Sequence, residues 1–424
     1  MANARKIVVK ALLNVEKEKA FSNLTLGAVF KEHPDLTPQD KALISNIFYG
    51  VLDRKITLDY FLSKLIKTPL NKVKPFVLCV LRSALYQIVY LDKIPDSAAV
   101  NEAVKIVKSS KESYQSGFVN GVLRGFLRNP VPLPKGDTAD ELSIIYSCPK
   151  WIVESFIKDY SLENAVKLLK ESLEAAPVYL RVNTLKTDAN SLVALLNEQG
   201  ISANPTENEN SVEISGGISP GENKLFSEGY FHIQDLSSQK CATLLGAKEN
   251  EKILDLSAAP GGKSFTIAQC MKNKGVLYSC DLYEHRTNLI VEGAKRLGID
   301  IIKTKTLDAT KPITFEKEFD AVLCDVPCSG LGIMRRKPDI KYNAAQNLSE
   351  LEKIQRQILN NAAKVVIKGG RILYSTCTLR KAENEENIKE FLKQHENAAL
   401  KFEHTFLPHI DKTDGFYTAL IEMK

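Results

Sequence analysis

From Lys252 to Ser375, short apolar runs alternate with stretches long enough for helices, and this alternation restricts the fold more than any other feature of the chain. The runs are Lys252–Leu256, Val276–Asp281, Ile301–Thr304, Ala321–Asp325 and Arg371–Ser375, and the helical stretches lie near 263–272, 284–297 and 349–367. Strands separated by helix-length segments connect by crossovers, which predicts an α/β domain with a parallel sheet covered on both faces. In such sheets ligands bind beyond the carboxyl ends of the strands, so the chemistry is sought there.

The chain before this region reads differently. Ile7-Val8, Ala11-Leu12 and Val15 recur at three- and four-residue spacing, as do Leu78, Leu81, Leu85 and Ile88, which predicts an all-α bundle from Ala2 to about Arg128. Pro34, Pro38, Pro69, Pro75 and Pro95 fall between the periodic stretches, where they begin or end helices without removing interior hydrogen bonds. Residues 1–130 hold 20 Lys and Arg against 11 Asp and Glu, whereas the rest of the chain is slightly acidic. Such asymmetry fits a polyanion partner, and a solvated helical surface explains it as well.

Pro130 to Asp137 cannot continue a helix, which places a first boundary near residue 140. Residues 141–230 then mix a helix (about Trp151–Ser172), a strand (Val178–Asn183), a second helix (Asp188–Gln199) and a Gly/Asn/Pro-rich stretch to Gly229, a pattern for a small α/β module ahead of the domain at 231–424.

No run approaches the roughly 20 apolar residues of a membrane span, and Met1-Ala2-Asn3-Ala4-Arg5-Lys6 lacks the apolar core of a signal peptide, so the expected location is the cytoplasm with no membrane partner. The eight cysteines are scattered without a Cys-x-x-Cys pair, which argues against a disulfide framework or a zinc ribbon, and no resident metal is assigned.

Residues 253–264 read as a buried strand turning tightly through Ser257-Ala258-Ala259-Pro260-Gly261-Gly262-Lys263 into a helix. Small residues let the backbone approach a ligand, and helix-start N–H groups bind its polar part. The Gly-x4-Gly-Lys-Ser/Thr spacing of a phosphate loop is absent. Acids stand at successive strand ends: Asp281, Asp308 and Asp325. A carboxylate at the second strand's end suits ribose hydroxyls and one at the third suits an adenine amine, although any single one also suits a loop cap.

Cys328 and Cys377 each begin a loop just past a strand, unlike Cys280 and Cys324, which lie within strands as structural cysteines do. Two thiols at one sheet end suggest attack and resolution, in an order that position alone leaves open. Arg335, Arg336, Lys337 and Lys341 follow closely; beside a cleft they would hold a nucleic-acid backbone and lower a thiol pKa, and a solvated loop accounts for them equally.

Taken together, Ala-Ala-Pro-Gly-Gly-Lys at 258–263, Asp-Val-Pro-Cys-Ser at 325–329 with Arg-Arg-Lys-Pro-Asp at 335–339, and Ser-Thr-Cys-Thr at 375–378 with Glu-Asn-Glu at 383–385 resemble the RNA cytosine-C5 methyltransferases that use S-adenosylmethionine. Phe231 to Gln239 looks like the lead-in ahead of that family's first strand, and Thr413 to Tyr417 like its last core strand. Leu81 to Ile88, Asn101 to Val104 and Phe118 to Arg124 resemble the NusB-type helical RNA-binding domain, a fusion characteristic of the bacterial RsmB/Sun branch.

The resemblance implies a NusB-like bundle, a small α/β module and a Rossmann-like methyltransferase domain, acting as a monomer on small-subunit (16S) rRNA. By it, Cys377 is the nucleophile that adds to C6 of cytosine, Cys328 helps expel Cys377 afterwards, and Asp325 hydrogen-bonds the base at N3. Ser257, Ala258, Ala259, Pro260, Gly261, Gly262 and Lys263, with Asp281, Arg286, Asp308 and Asp325, would hold S-adenosylmethionine, and Lys263 would face both cofactor and base. Covalent activation is what an unactivated aromatic C5 requires. Ser257, Thr378 and Arg380-Lys381-Ala382 depart from common family residues, and none removes a reacting group. Competing expectations are attack by Cys328, as in the Pro-Cys DNA methyltransferases, a tRNA substrate, and a non-catalytic RNA-binding protein.

Overall fold

The computed structural model describes residues 3–18, 22–216, 218, 220–315, 318–343 and 347–424. Met1 and Ala2, where the sequence starts the first helix, lie outside the described residues. The chain divides into two compact units, Met1–Glu174 with Met334–Asn343, and Ala175–Ile333 with Ala344–Lys424.

The first unit is helical: α1 (Ala4–Glu18), α2 (Ser22–Glu32), α3 (Pro38–Asp53), α4 (Lys55–Leu65), α5 (Pro75–Tyr90), α6 (Asp96–Lys108), α7 (Ser116–Arg128), α8 (Ala139–Ile145) and α9 (Lys150–Glu171). The prolines start helices: Pro38 and Pro75 occupy the first turn of α3 and α5, where no N–H is lost. Thr37 caps α3 by accepting from the Asp40 N–H at 3.1 Å. The apolar stripes of α1 and α3 to α7 meet in one core that includes Val8, Leu12, Ile44, Phe48, Leu81 and Leu123. Residues 130–137 are neither helix nor strand, and the Thr138–Glu141 capping box starts α8 beyond them. The single helix read at 151–172 is broken at Ser161, which has a left-handed φ of 73°.

The second unit carries two sheets. The smaller is antiparallel in the order β2 (Ala203–Pro205), β3 (Ser211–Ile214), β1 (Val178–Val182), β4 (Phe231–Ile233), backed by α10 (Ala189–Glu198), with the short α11 (Lys224–Ser227) between β3 and β4 in the chain. Three of these strands lie in or just after the stretch that reads as loop in the sequence. They are too short, and too interrupted by Gly, Asn and Pro, to show a period of two.

The larger sheet follows α12 (Leu236–Leu244) and contains β5 (Lys252–Asp255), β6 (Val276–Asp281), β7 (Ile302–Thr306), β8 (Phe319–Asp325), β9 (Val366–Thr376), β10 (Ala398–Phe406) and β11 (Phe416–Met423) in the order β10-β11-β9-β8-β5-β6-β7. The five strands expected from sequence are parallel neighbours. β11 runs antiparallel to both β9 and β10, so the sheet is mixed rather than wholly parallel.

Consecutive residues of the central strands enter opposite cores. Leu254, Val322 and Ile372 join α16 (Leu348–Val365) and α17 (Glu385–Gln394) on one face. Ile253, Leu323 and Leu373 join α12, α13 (Gly262–Cys270) and α14 (Glu284–Leu297) on the other. Burial on both faces is why these strands read as continuous apolar runs. The short α15 (Ile340–Asn343) belongs to the first unit, and α18 (Pro408–Asp411) precedes β11.

Candidate active site

The loops after β5, β6, β8 and β9 open at the carboxyl end of the parallel strands. The turn after β5 is held on three sides: Leu256 N–H donates to the Leu323 carbonyl at 3.0 Å, Ala258 N–H to the Cys280 carbonyl at 2.8 Å, and Ala259 N–H to Asp281 Oδ2 at 3.2 Å. Gly261, at φ 111°, heads α13 with no side chain capping the first N–H groups. A Cβ there would lie 2.4 Å from the Phe265 ring, which only glycine avoids. Arg286 Nη2 donates to the Ala259 carbonyl at 3.0 Å while Nη1 pairs with Asp281 Oδ1 at 3.2 Å, so Arg286 and Asp281 fasten the turn as a unit.

Asp308 stands apart from this cluster in its bonding. Its Oδ1 accepts from the N–H and hydroxyl of Thr310 at 3.0 and 2.6 Å, and Oδ2 lies 3.5 Å from Lys311 Nζ. The Thr310 hydroxyl, foremost among these contacts, holds the carboxyl below its ordinary pKa. Its observed work is to cap its own loop.

Asp325 ends β8 and is bonded at both oxygens, by Lys263 Nζ at 2.7 Å and by the Ser375 hydroxyl at 2.8 Å. Burial disfavours the Lys263 charge, yet the facing Asp325 carboxylate, with Cys241 and Cys377, outweighs it and raises the lysine above its ordinary pKa. The ammonium also sits 4.9 Å from the Phe416 ring centroid.

The two loop-start cysteines meet: Cys328 Sγ and Cys377 Sγ are 3.3 Å apart. The hydrogen bond with Cys377, then burial, then the charges of Cys377 and Glu383 push the Cys328 thiol well above its ordinary pKa. Either sulfur can be the donor in this contact. Cys280 and Cys324 are fully buried in their strands, as their positions predict. Around the thiols the backbone is tightly sewn: Gly332 N–H donates to the Cys377 carbonyl and Gly415 N–H to the Gly332 carbonyl, each at 2.9 Å.

Several residues that build this site are not assignable from sequence. Asp255 is fully buried; the Ser264 hydroxyl donates to Oδ2 at 2.7 Å, and Oδ1 has no hydrogen-bond partner. Burial pushes its pKa up to about 7 against the Ser264 hydrogen bond. Ser375, Ser329 and Glu383 are likewise buried and bonded to site residues, although Glu383 was visible only as a landmark in the Glu-Asn-Glu run.

Of the cations after Cys328, Lys337 is exposed as a solvated loop would have it, whereas Lys341 is not. Met334–Asn343 belongs to the first unit, where Lys341 is wholly buried with Nζ 2.6 Å from Asp53 Oδ1, and Tyr342 Oη donates to the Leu52 carbonyl at 2.9 Å. Asp339 accepts from the Ser22 hydroxyl, and the Arg335 side chain is 5% exposed, 4.0 Å from Glu171. A lysine without solvent requires a counter-ion, and Asp53 is 288 residues earlier in the chain.

Family models match along nearly the whole chain: NusB family at residues 2–128, an RsmF/B-like methyltransferase ferredoxin-like domain at 148–218, and 16S rRNA methyltransferase RsmB/F at 242–422. The probable ribosomal RNA small subunit methyltransferase B of Bacillus subtilis (strain 168) is 40% identical, over 100% of this chain and 99% of its own. The chain belongs to the ribosomal RNA small subunit methyltransferase B family. A member from Proteus mirabilis (strain HI4320) is 31% identical over 100% of this chain and 99% of its own. The crystal structure of PH0851 superposes with a TM-score of 0.84 at 27% identity, covering 100% of this chain and 99% of that one.

Within that family the architecture is a NusB helical domain, a ferredoxin-like module and a Rossmann-like methyltransferase domain with a mixed sheet, and the cofactor is S-adenosylmethionine. The site fits this cofactor on its own terms. The uncapped N–H groups of α13 suit a carboxylate, the unpartnered Asp255 Oδ1 suits an ammonium group, and the Gly261-Gly262 turn leaves room that side chains would fill. Among the described residues no helix is long and apolar enough to cross a membrane.

Proposed function

We propose that this chain, as a monomer, transfers a methyl group from S-adenosylmethionine to C5 of one cytosine in small-subunit (16S) rRNA through a covalent Cys377–C6 adduct. The observation that carries the reading is the pair of thiols 3.3 Å apart at neighbouring strand mouths, beside the Lys263–Asp325 pair. The division of labour is 1–140 for RNA binding, 141–230 for RNA recognition and 231–424 for catalysis.

Residues 257–263 with Asp255, Asp281, Arg286 and Asp308 hold the cofactor, which supplies an electrophilic methyl group. The Cys377 thiolate bonds to C6, and the C5–C6 π pair is pushed into the ring, making C5 nucleophilic while Lys263, oriented by Asp325, steadies the negative charge that develops around N3. After C5 carries the methyl group its proton passes to water. That C–H pair re-forms the C5–C6 double bond as the C6–Sγ bond breaks, and the Cys328 thiol, in contact with Cys377, donates a hydrogen bond to the departing sulfur. A base within a helix must be single-stranded or flipped to reach this mouth.

The test is methylation of RNA by Cys377→Ala and Cys328→Ala proteins with a 5-fluorocytosine RNA as a trap. The reading expects a denaturation-resistant adduct with wild type and Cys328→Ala and none with Cys377→Ala. The reverse pattern assigns attack to Cys328. Bisulfite mapping of rRNA and tRNA from cells with and without the gene tests the substrate, a lost mark in tRNA overturning it.

A further inference from the structure

The residues that follow the two thiols are tied to each other and to one buried acid. Ser329 Oγ and Thr378 Oγ1 are 2.7 Å apart. Glu383, with no solvent exposure, accepts from Ser329 N–H at 2.9 Å, Ser329 Oγ at 2.6 Å, Gln355 Nε2 at 2.9 Å and Arg380 Nη1 at 3.0 Å. Gln355 Nε2 also donates to the Pro327 carbonyl at 2.9 Å. The peptide groups on both sides of Cys328 are thus fixed by the same Gln355–Glu383 pair.

The acid's position is itself fixed. Arg380 reaches Glu352 at 3.2 Å with its other nitrogen, Asn387 donates to Gln355 Oε1 at 2.8 Å, and Tyr374 Oη donates to the Glu383 carbonyl at 2.6 Å. On the opposite loop Asn384 Nδ2 donates to the Thr378 carbonyl at 3.0 Å. A carboxyl group without solvent is costly unless fully bonded, and this one has two donors at each oxygen and an arginine among them. A surface acid would supply the same loop at lower cost if all that were needed was a turn.

We propose that Glu383 is a positioning residue for product release: it sets Cys328 against Cys377 through Ser329 and the Ser329–Thr378 hydroxyl pair. This rests on the reading of Cys377 as nucleophile and Cys328 as the group that releases it. Attack on C6 needs only Cys377, whose carbonyl is anchored by Gly332, so loss of Glu383 leaves adduct formation and slows its resolution. A displacement of Cys328 by about 1 Å costs on the order of 10²-fold in that step.

The experiment compares wild type, Glu383→Gln and Thr378→Val in single- and multiple-turnover methylation of rRNA, with covalent protein–RNA measured on denaturing gels. The expected result is single-turnover methylation within about threefold of wild type, multiple turnover reduced by about 10²-fold in Glu383→Gln and less in Thr378→Val, adduct accumulating in both, and an unchanged KM for S-adenosylmethionine. The proposal is overturned if single and multiple turnover fall together with a raised KM, which marks a general structural loss, or if adduct does not accumulate. Thr378→Val, the smaller change, keeps the test valid should Glu383→Gln not fold. If wild type itself forms no adduct with a 5-fluorocytosine RNA, the underlying reading has failed rather than this inference.

Discussion

Replacement of Asp255 by asparagine isolates one buried charge whose effect has a definite sign. The carboxyl is wholly buried and its pKa is pushed up to about 7 by burial, the Ser264 hydrogen bond pulling the other way. In the unfolded chain an aspartate titrates near ~3.9. A folded pKa above the unfolded one means that the protonated form is favoured by folding. Its stability is fully present below about pH 4 and is lost as pH rises to about 7. About three pH units at ~1.4 kcal/mol each give a loss of about 4 kcal/mol across that window. Asp255→Asn keeps an acceptor for Ser264 and cannot ionise, so it removes the slope. The assay is native-state hydrogen exchange of the β5 and β8 amides at pH 4 and pH 8 for both proteins. The variant should gain about 4 kcal/mol on wild type between the two pH values; a difference that is flat, or that moves the other way, refutes the assignment of a neutral buried carboxyl.

Other outcomes follow from the same geometry. Lys341→Met leaves Asp53 facing a side chain without charge in the first unit and should cost about 3–5 kcal/mol in urea unfolding, much of it recovered in the Lys341→Met, Asp53→Leu double variant; additive losses would mean that the pair does not interact. A Cβ at Gly332 would fall 1.9 Å from the Gly415 carbonyl oxygen and 2.8 Å from that of Cys377, so Gly332→Ala should abolish adduct formation while leaving the helical unit's thermal transition unchanged; retained adduct formation would contradict the fixed loop. Lys263→Met removes the cation from Asp325 and should lower single-turnover methylation by about 10²-fold, a result that unchanged rates would exclude.

The catalytic half was largely legible in the chain because burial on both sheet faces writes itself as apolar runs, and because the Gly261-Gly262 turn and the two loop-start thiols punctuate strand ends. β10 escaped notice since most of its residues are half-buried or exposed and no run marks it, and β11 was anticipated only by resemblance at Thr413 to Tyr417. The strands β2 and β3 are shorter than any period can reveal. Buried charge is the least visible feature of all. Lys341 sits in a run that reads equally as a solvated loop and Glu383 is marked only as part of the Glu-Asn-Glu landmark, and partners far away in sequence, Asp53 for one and Ser329 for the other, turn them inward.

The most direct test of the account is the identity of the sulfur bonded to RNA. Cys328→Ala protein, incubated with unmodified small-subunit rRNA and S-adenosylmethionine, is digested with protease and nuclease and the crosslinked peptide is sequenced by mass spectrometry. The account predicts a peptide carrying 5-methylcytidine on Cys377. A crosslink elsewhere, or none in a protein that still methylates, contradicts it.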